Sequence, residues 1–408
     1  MKITKNSLRT LYHVETRGKK VFLRLDINLP LDPISGRILD DTRIRKSIPT
    51  IKGLANSALV IASHQSRPMK SDFTTMKIHA NAIQKMLGRK VKFIPDVMGP
   101  SAIRSITRLR EGEILVLDNL RLCAEDNFNA SPDILRTTHF VNRLGPLFDI
   151  YVNDAFAASH RSQPSLAGLP QVIRAYAGKL MENELLTLSR LLNKVVSPRV
   201  LCLGGAKLET KLSILETMLQ NDNMDSVLVS GQAGIIFLNV AGYEIGARNQ
   251  GIIGSGEQLL LASRILRNFE DRVILPRDVA VNDGGTRVNC GLDEIDNRPI
   301  YDIGPETEEV FAGALRGAKS IFANGPAGFF EMEGFRRGTD SLLLAIAMSK
   351  AKVKVLGGGH LGSLAAEMGI SKNVHVSTGG GVLLALLGGE ELPAITPLIK
   401  KGRAAKKK

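Results

Sequence analysis

The sequence contains no tryptophan, and aromatic residues make up only 5% of its 408 positions. A surface that stacks successive bases of a single-stranded nucleic acid needs more rings than that. Cysteine is nearly as scarce. Cys123, Cys202 and Cys290 lie far apart, and no Cys-x-x-Cys occurs. An odd, unpatterned set excludes a disulfide framework or zinc ribbon and fits a reducing compartment, the cytoplasm. No apolar run reaches about 18 residues, so no membrane-spanning helix is expected. Met1-Lys2-Ile3-Thr4-Lys5 begins no apolar core of a secretion signal. A Walker-type glycine-lysine loop and the signature set of the protein kinases are also missing.

What is present is apolar and unevenly charged. Hydrophobic residues make up 44% of the chain, ample for large cores, and its length implies two or three domains. The formal charge is +14. Residues 1–177 hold 27 Lys/Arg against 15 Asp/Glu, residues 178–391 hold 21 against 25, and residues 392–408 hold six basic residues and no acid. A basic first half points to an anion site there, and the terminal lysines read as a solvated tail.

Short apolar runs recur at Val21–Leu25, Leu59–Ala62, Val91–Ile94, Ile114–Leu117, Asp149–Val152, Val200–Leu203, Val227–Val229, Val273–Leu275, Ser320–Phe322, Val353–Leu356 and Val374–Val376. Helix-length segments such as Thr75–Leu87, Leu208–Leu219 and Thr339–Ser349 lie between them. Strands without polar alternation, separated by helices, indicate parallel sheets covered on both faces. The expected fold is α/β: two doubly wound, Rossmann-like domains with a cleft between them. The apolar spacing of Leu180, Leu185, Leu188 and Leu192 predicts a helix joining them. The expected boundaries are 1–177, a hinge helix at 178–195, 196–390, and a C-terminal segment 391–408.

In open α/β sheets ligands sit beyond the carboxyl ends of the strands. There the first half places Asp26-Ile27-Asn28, Ser63-His64-Gln65-Ser66-Arg67, Asp118-Asn119-Leu120-Arg121, and Asn153-Asp154 with His160-Arg161. Arg43 follows Asp40-Asp41-Thr42. Guanidiniums match carboxylate and phosphate in fork geometry, so a small phosphorylated acid is expected. The second half has glycine at the same places: Gly204-Gly205-Ala206-Lys207, Gly231-Gln232-Ala233-Gly234, Asn324-Gly325-Pro326, Gly357-Gly358-Gly359-His360 and Gly379-Gly380-Gly381. Glycine lets backbone N–H groups approach a polyphosphate at a helix start. Lys207 and Lys211, four apart, share one helix face.

These motifs, with Leu275-Pro276-Arg277-Asp278, Asp302-Ile303-Gly304-Pro305 and Glu331, resemble the phosphoglycerate kinase family, in its archaeal branch, over nearly the whole chain. The resemblance implies reversible phosphoryl transfer between ATP and the carboxylate of 3-phosphoglycerate, giving 1,3-bisphosphoglycerate and ADP, in glycolysis and gluconeogenesis. It implies that Asp26, Ile27, Asn28, Arg43, His64, Gln65, Ser66, Arg67, Arg121 and Arg161 bind the acid. Gly204, Gly205, Lys207, Lys211, Gly231, Asn324, Pro326, Glu331, Gly358, Gly359, His360 and Leu361 would bind the nucleotide, Glu331 through the ribose. Arg43, Lys207, Gly358 and Gly381 would stabilise the transferring group. It further implies Mg²⁺ carried with ATP or ADP, domain closure, a cytoplasmic protein that is a monomer or, alternatively, a dimer, a C-terminal segment that returns to the first domain, and no specific nucleic-acid or membrane partner.

The sequence departs from the family pattern in places. His360 stands where an Asp that contacts the nucleotide's magnesium is common, so the protein's metal ligand stays unassigned. Ala323 stands where many members carry Trp, which implies different packing around adenine. Two other readings remain. Gly357–Gly362 formally matches a dinucleotide fingerprint, although the next strand is followed by Ser377-Thr378-Gly379 and no acid. The terminal lysines would suit a nucleic-acid binder.

Overall fold

The central apolar runs lack polar alternation because they become strands buried on both faces, whereas those at Val91–Ile94, Val273–Leu275 and Val374–Val376 become edge strands that are only partly buried. The computed structural model describes residues 3–4, 6–206, 208–253 and 256–400. They form two compact units, one taking the chain up to Ser189 and again from Glu391, the other Arg190–Glu390. The division falls inside the helix Lys179–Leu192.

In the first unit β1 (Lys20–Arg24), β2 (Ala58–Ala62), β3 (Lys92–Phe93), β4 (Ile114–Val116), β5 (Ile150–Asn153) and β6 (Ala175–Ala177) form a parallel sheet in the order β3-β4-β2-β1-β5-β6. Arg24 pairs with Ala62 on one side and Asn153 on the other. The strands therefore finish level, and the loops after β1, β2 and β5 emerge side by side. One face buries Val21, Leu23, Leu59 and Ile61 with Ile44, Ile51 and Ile83 from the covering helices. On the other face Phe22 stacks on Tyr151 at 5.8 Å and meets Phe148 edge-on at 5.2 Å. The chain from Glu391 onward is stitched to this unit. Arg9 N–H donates to Leu398 O and Lys400 N–H to Ser7 O, both at 2.8 Å. Asn153 Nδ2 donates to Ala394 O at 3.1 Å.

The second unit holds β7 (Arg199–Leu203), β8 (Ser226–Val229), β9 (Val273–Ile274), β10 (Asp278–Asp283), β11 (Thr286–Gly291), β12 (Ile300–Ile303), β13 (Ser320–Asn324), β14 (Val353–Gly357) and β15 (His375–Ser377). A parallel sheet runs β15-β14-β13-β7-β8-β9. Asn324 pairs with Leu203 and with Gly357, which levels the ends of β7, β13 and β14.

Two features depart from the sequence reading. Ala175-Tyr176-Ala177 is too short to register as an apolar run, yet it forms the edge strand β6. A three-stranded antiparallel sheet, β11-β10-β12, accompanies the second parallel sheet. Its hairpin turns through Gly284 and Gly285, at φ 57° and 97°, with Asp283 paired to Thr286. That is a two-residue turn in which both central residues need positive φ, and Asp-Gly-Gly-Thr is the signal for it.

Candidate active site

The site of the first unit begins with backbone alternation. After β1, Leu25, Ile27 and Leu29 turn inward while Asp26 and Asn28 turn outward. Asp26 Oδ1 accepts from Arg43 Nη1 at 2.8 Å. Arg43 is the second residue of the helix Thr42–Gly53, whose start is held by Asp40 Oδ1 accepting from Thr42 N–H at 2.8 Å. Burial pushes the Asp26 carboxyl up, but Arg43, Arg24 and Arg161 outweigh it and hold the group well below the usual carboxylate range. Asn28 Oδ1 accepts from Ser66 N–H at 2.8 Å, clamping the loop after β1 to that after β2.

Around Asp26 the cations outnumber the acids. His64, buried, has Arg24 Nη2 at 3.2 Å from Nδ1 and Arg161 Nη1 at 3.4 Å from Nε2. Arg121 is buried, and Nη1 donates to Asp126 O at 2.8 Å and to Asn127 Oδ1 at 3.2 Å. Burial, with Arg161, Arg24 and Arg67 nearby, lowers Arg121 to about 10, and burial with Arg67, Arg24 and Arg43 lowers Arg161. Arg24, Arg43, Arg67, Arg121 and Arg161 thus share one neighbourhood with the carboxylates of Asp26 and Asp126. Guanidiniums that depress one another are a poor way to build a core and a good way to hold a small dense anion.

Two expected acid-binding residues are turned inward. Ile27 belongs to the core. Gln65 is 0% exposed and its amide is committed to scaffolding. Gln65 Nε2 donates to Leu29 O at 2.9 Å, and Oε1 accepts from Leu29 N–H at 3.0 Å and lies 3.0 Å from His79 Nε2. Neither side chain reaches the outward face, because each fills the space beneath it.

In the second unit the glycines mark contacts between loops. Gly204 N–H donates to Asn324 O, Gly205 N–H to Pro326 O and Gly231 N–H to Ala327 O, at 2.9, 2.7 and 2.8 Å. These three amides therefore interlock the loops after β7, β8 and β13, which corrects their expected role as phosphate donors. A Cβ on Gly204 would lie 2.2 Å from Pro326 O. Lys211 Nζ donates to Gly204 O at 2.7 Å, which places its ammonium on the same loop. Lys207 lies outside the described residues.

The helices Gly359–Glu367 and Gly380–Gly388 start directly after β14 and β15, behind Gly358 and Gly379. Their first turns leave N–H groups of Gly359, His360, Leu361 and of Gly380, Gly381 without partners along the helix, at the positive dipole end. The Leu361 side chain is 1% exposed and packs in the core, so only its backbone serves this end.

Beside the interlocked loops lies a pocket of about 360 Å³, the size of a small-ligand site. Gly205, Gly231, Pro326, Glu331 and His360 line it, as do Ile235, Leu238, Tyr301, Phe329 and Phe330. Tyr301 meets Phe329 edge-on at 5.2 Å, and Phe330 meets His360 at 5.3 Å. The apolar walls went unforeseen, although Phe329-Phe330 after a glycine loop, in a chain poor in rings, is a visible signal. Ala323 does not line the pocket. It is 0% exposed in the sheet core between Cys202 and Leu356.

Two further sequence motifs are scaffold. Asp278 accepts from Glu306 N–H at 3.0 Å and Thr307 N–H at 2.8 Å, capping the helix Pro305–Gly317. Asp302 Oδ2 accepts from Arg287 Nη1 at 2.7 Å and Gly338 N–H at 2.8 Å. Among the described residues no three His, Cys, Asp or Glu side chains converge on a point where a metal would sit.

A guanidinium cluster at one set of parallel strand ends, and an apolar pocket with two glycine-led helix starts at another, define an α/β phosphotransferase of small molecules. More particularly, the chain belongs to the phosphoglycerate kinase family, whose model matches residues 11–390. It is 42% identical over 395 residues to the phosphoglycerate kinase of Methanothermus fervidus, covering 95% of this chain and 96% of that protein. It is also 42% identical over 396 residues to that of Methanothermobacter thermautotrophicus, covering 96% of each. The crystal structure of phosphoglycerate kinase from Pyrococcus horikoshii matches it with a TM-score of 0.85 at 36% identity, over 96% of this chain and 98% of that one. The chain catalyses the family's reaction, phosphoryl transfer between ATP and 3-phosphoglycerate. No helix of the described residues is long and apolar enough to cross a membrane.

Proposed function

We propose that the first unit binds 3-phosphoglycerate and the second binds the nucleotide. The observation that carries this reading is the convergence of Arg43, His64, Arg67, Arg121 and Arg161 about Asp26 in the first unit, with the apolar pocket in the second. Asn28, Arg67 and Arg161 hold the acid, and Ser66 shapes the loop that carries Arg67. Arg121 acts through its charge, since its Nη1 is committed to Asp126 O and Asn127 Oδ1. Arg43 neutralises charge on the transferring group.

The nucleoside occupies the pocket beside Phe330 and His360, with Glu331 at the ribose. Pro326 and Asn324 shape the loop beneath it. Lys207, Lys211 and the helix starts at Gly358–Leu361 and Gly380–Gly381 hold the phosphates. The acceptor carboxylate, with a pKa of about 4, is already ionised at neutral pH, so no general base is needed. Catalysis rests on alignment and on charge neutralisation. Magnesium arrives on the nucleotide as part of the substrate. The helix Lys179–Leu192 serves as the hinge, and the protein works as a cytoplasmic monomer.

Two variants test the division of labour. Arg161→Ala should raise KM for 3-phosphoglycerate by about tenfold or more, as loss of one charge-assisted hydrogen bond implies, and leave KM for ATP within twofold. Phe330→Ala should do the reverse. The opposite pattern, or a joint rise for both substrates in each variant, would reassign the units.

A further inference from the structure

Arg24 and Arg161 both approach His64, and the two contacts cannot both be hydrogen bonds. A guanidinium only donates, and a neutral imidazole offers one acceptor nitrogen while the other carries hydrogen. Arg24 stands at Nδ1 and Arg161 at Nε2. At one of the two nitrogens an N–H must face an N–H.

How each arginine is held decides which contact gives way. Arg24, at the end of β1, is 0% exposed. Its Nε donates to Ser165 Oγ at 3.1 Å and its Nη1 to Leu25 O. Ser165 is itself pinned: its N–H and Oγ donate to Asp126 at 2.8 and 3.0 Å, and Tyr151 OH donates to its carbonyl at 2.8 Å. Arg161 stands in the loop after β5, partly open to solvent. A mismatch at the buried contact would leave two donors without acceptors, whereas Arg161 can turn away.

We propose that Arg24 is a positioning residue for the reaction: by donating to Nδ1 it holds His64 as the neutral tautomer protonated at Nε2, which presents a hydrogen-bond donor beside Arg161 to an oxygen of the acid. Two donors 3.4 Å apart repel, and an anionic oxygen that accepts from both turns the repulsion into two hydrogen bonds. The charged groups that face His64 are Arg24 from β1, Asp26 from the loop after it, Arg121 from the loop after β4 and Arg161. Burial and the three guanidiniums outweigh Asp26 and keep the ring neutral, with its pKa well below the ordinary value. A second proton would have to enter at Nδ1, against Arg24. Donation from Nε2 is therefore constant across the neutral range.

The inference rests on the reading of this cluster as the acid's site, and the experiment separates the two. Long-range ¹H–¹⁵N correlation spectra of the full-length protein, with His64→Gln to assign the signal, report the tautomer without any substrate. Native His64 should show an unprotonated Nδ1 and a protonated Nε2, with no titration from about pH 5.5 to 8.5, where a free imidazole would titrate. Arg24→Met should mix the tautomers, restore titration, and raise KM for 3-phosphoglycerate about tenfold, the worth of one hydrogen bond, with a smaller change in kcat. Arg24→Lys, which keeps a donor, should restore the tautomer. A native ring protonated at Nδ1 overturns the inference, as does an Arg24→Met variant with native tautomer and KM. The native spectrum decides even where the Met variant fails to fold. Adding 3-phosphoglycerate should shift Nε2. The expected tautomer with no response to the acid would overturn the site reading and the donor role with it.

Discussion

Replacing Arg43 with alanine removes the guanidinium proposed above to neutralise charge on the transferring group. Among the described residues its side-chain acceptor is Asp26, at 2.8 Å from Nη1, which leaves most of its five N–H groups for an anion. Loss of one preorganised donor at a charge-developing oxygen costs about 10²–10³ in kcat, and loss of an arginine that neutralises a phosphoryl group about 10³–10⁵. Arg43 is 35% exposed, so water screens part of its field and the lower overlap is expected. That is a fall of about 10³ in kcat, or about 4 kcal/mol of barrier. KM for 3-phosphoglycerate should rise by less than tenfold, because Arg67 and Arg161 remain. Arg43→Lys keeps the charge without the fork and should recover only part of the rate.

The assay couples ADP release to NADH oxidation with each substrate varied in turn. The variant also loses the guanidinium that pairs with Asp26 and depresses it. A depressed carboxyl contributes stability above about pH 4 that is lost as pH falls through its folded value. The Arg43→Ala deficit in unfolding free energy should therefore be full at pH 7 and shrink in acid. A folded variant with kcat within threefold of native, or a loss confined to KM, would remove Arg43 from the transition-state role.

Asp154 offers a test by pH. It is buried, accepts from Met181 N–H at 3.0 Å, and burial pushes its carboxyl up to about 6. The folded form therefore holds the proton more tightly than the unfolded one, and stability falls as pH rises from about 4 to 6, by roughly 2–3 kcal/mol. His79 and His160, each lowered by burial to about 4, and His64, held well below its ordinary value, work oppositely in that window, so the stability of the native protein should rise with pH across it despite Asp154. Asp154→Asn should then gain roughly 2–3 kcal/mol relative to native between pH 4 and pH 7.5, read by urea unfolding; a difference that ignores pH would refute the burial argument. Gly325→Ala should lose more than about 2 kcal/mol and weaken nucleotide binding. Its φ is +89° and a Cβ would lie 2.3 Å from Gly204 O. Thermal melts with and without ADP measure both effects, and a native melt would mean that the loops after β7 and β13 do not interlock.

Much of the fold was legible because parallel sheets announce themselves locally. A strand buried on both faces needs an unbroken apolar run, as at Ala58–Ala62 and Ser320–Asn324. Beyond its last residue the chain must turn polar or glycine-rich to reach the next helix. That rule located Asp26, His64, Arg121, Arg161 and the glycine loops. It failed for β6, whose three residues take their place from β5 and from the N-terminal chain at Arg9. It also passed over the hairpin of β10 and β11, whose turn signal is local but whose partner β12 is not.

Residue type and order along the chain determined that one half would carry a dense cationic site and the other a glycine-rich one. Composition and spacing survive in an extended chain, so they could be read without coordinates. Tertiary structure alone decided which of those residues face outward. It turned Gln65 and Leu361 into the interior, spent the amides of Gly204, Gly205 and Gly231 on neighbouring loops, and buried Ala323 in the sheet. It also set Arg24 and Arg161 on opposite nitrogens of one imidazole. Each of these follows from contacts between segments far apart in sequence, where a hydrogen bond or a van der Waals clash depends on distances that no local pattern encodes.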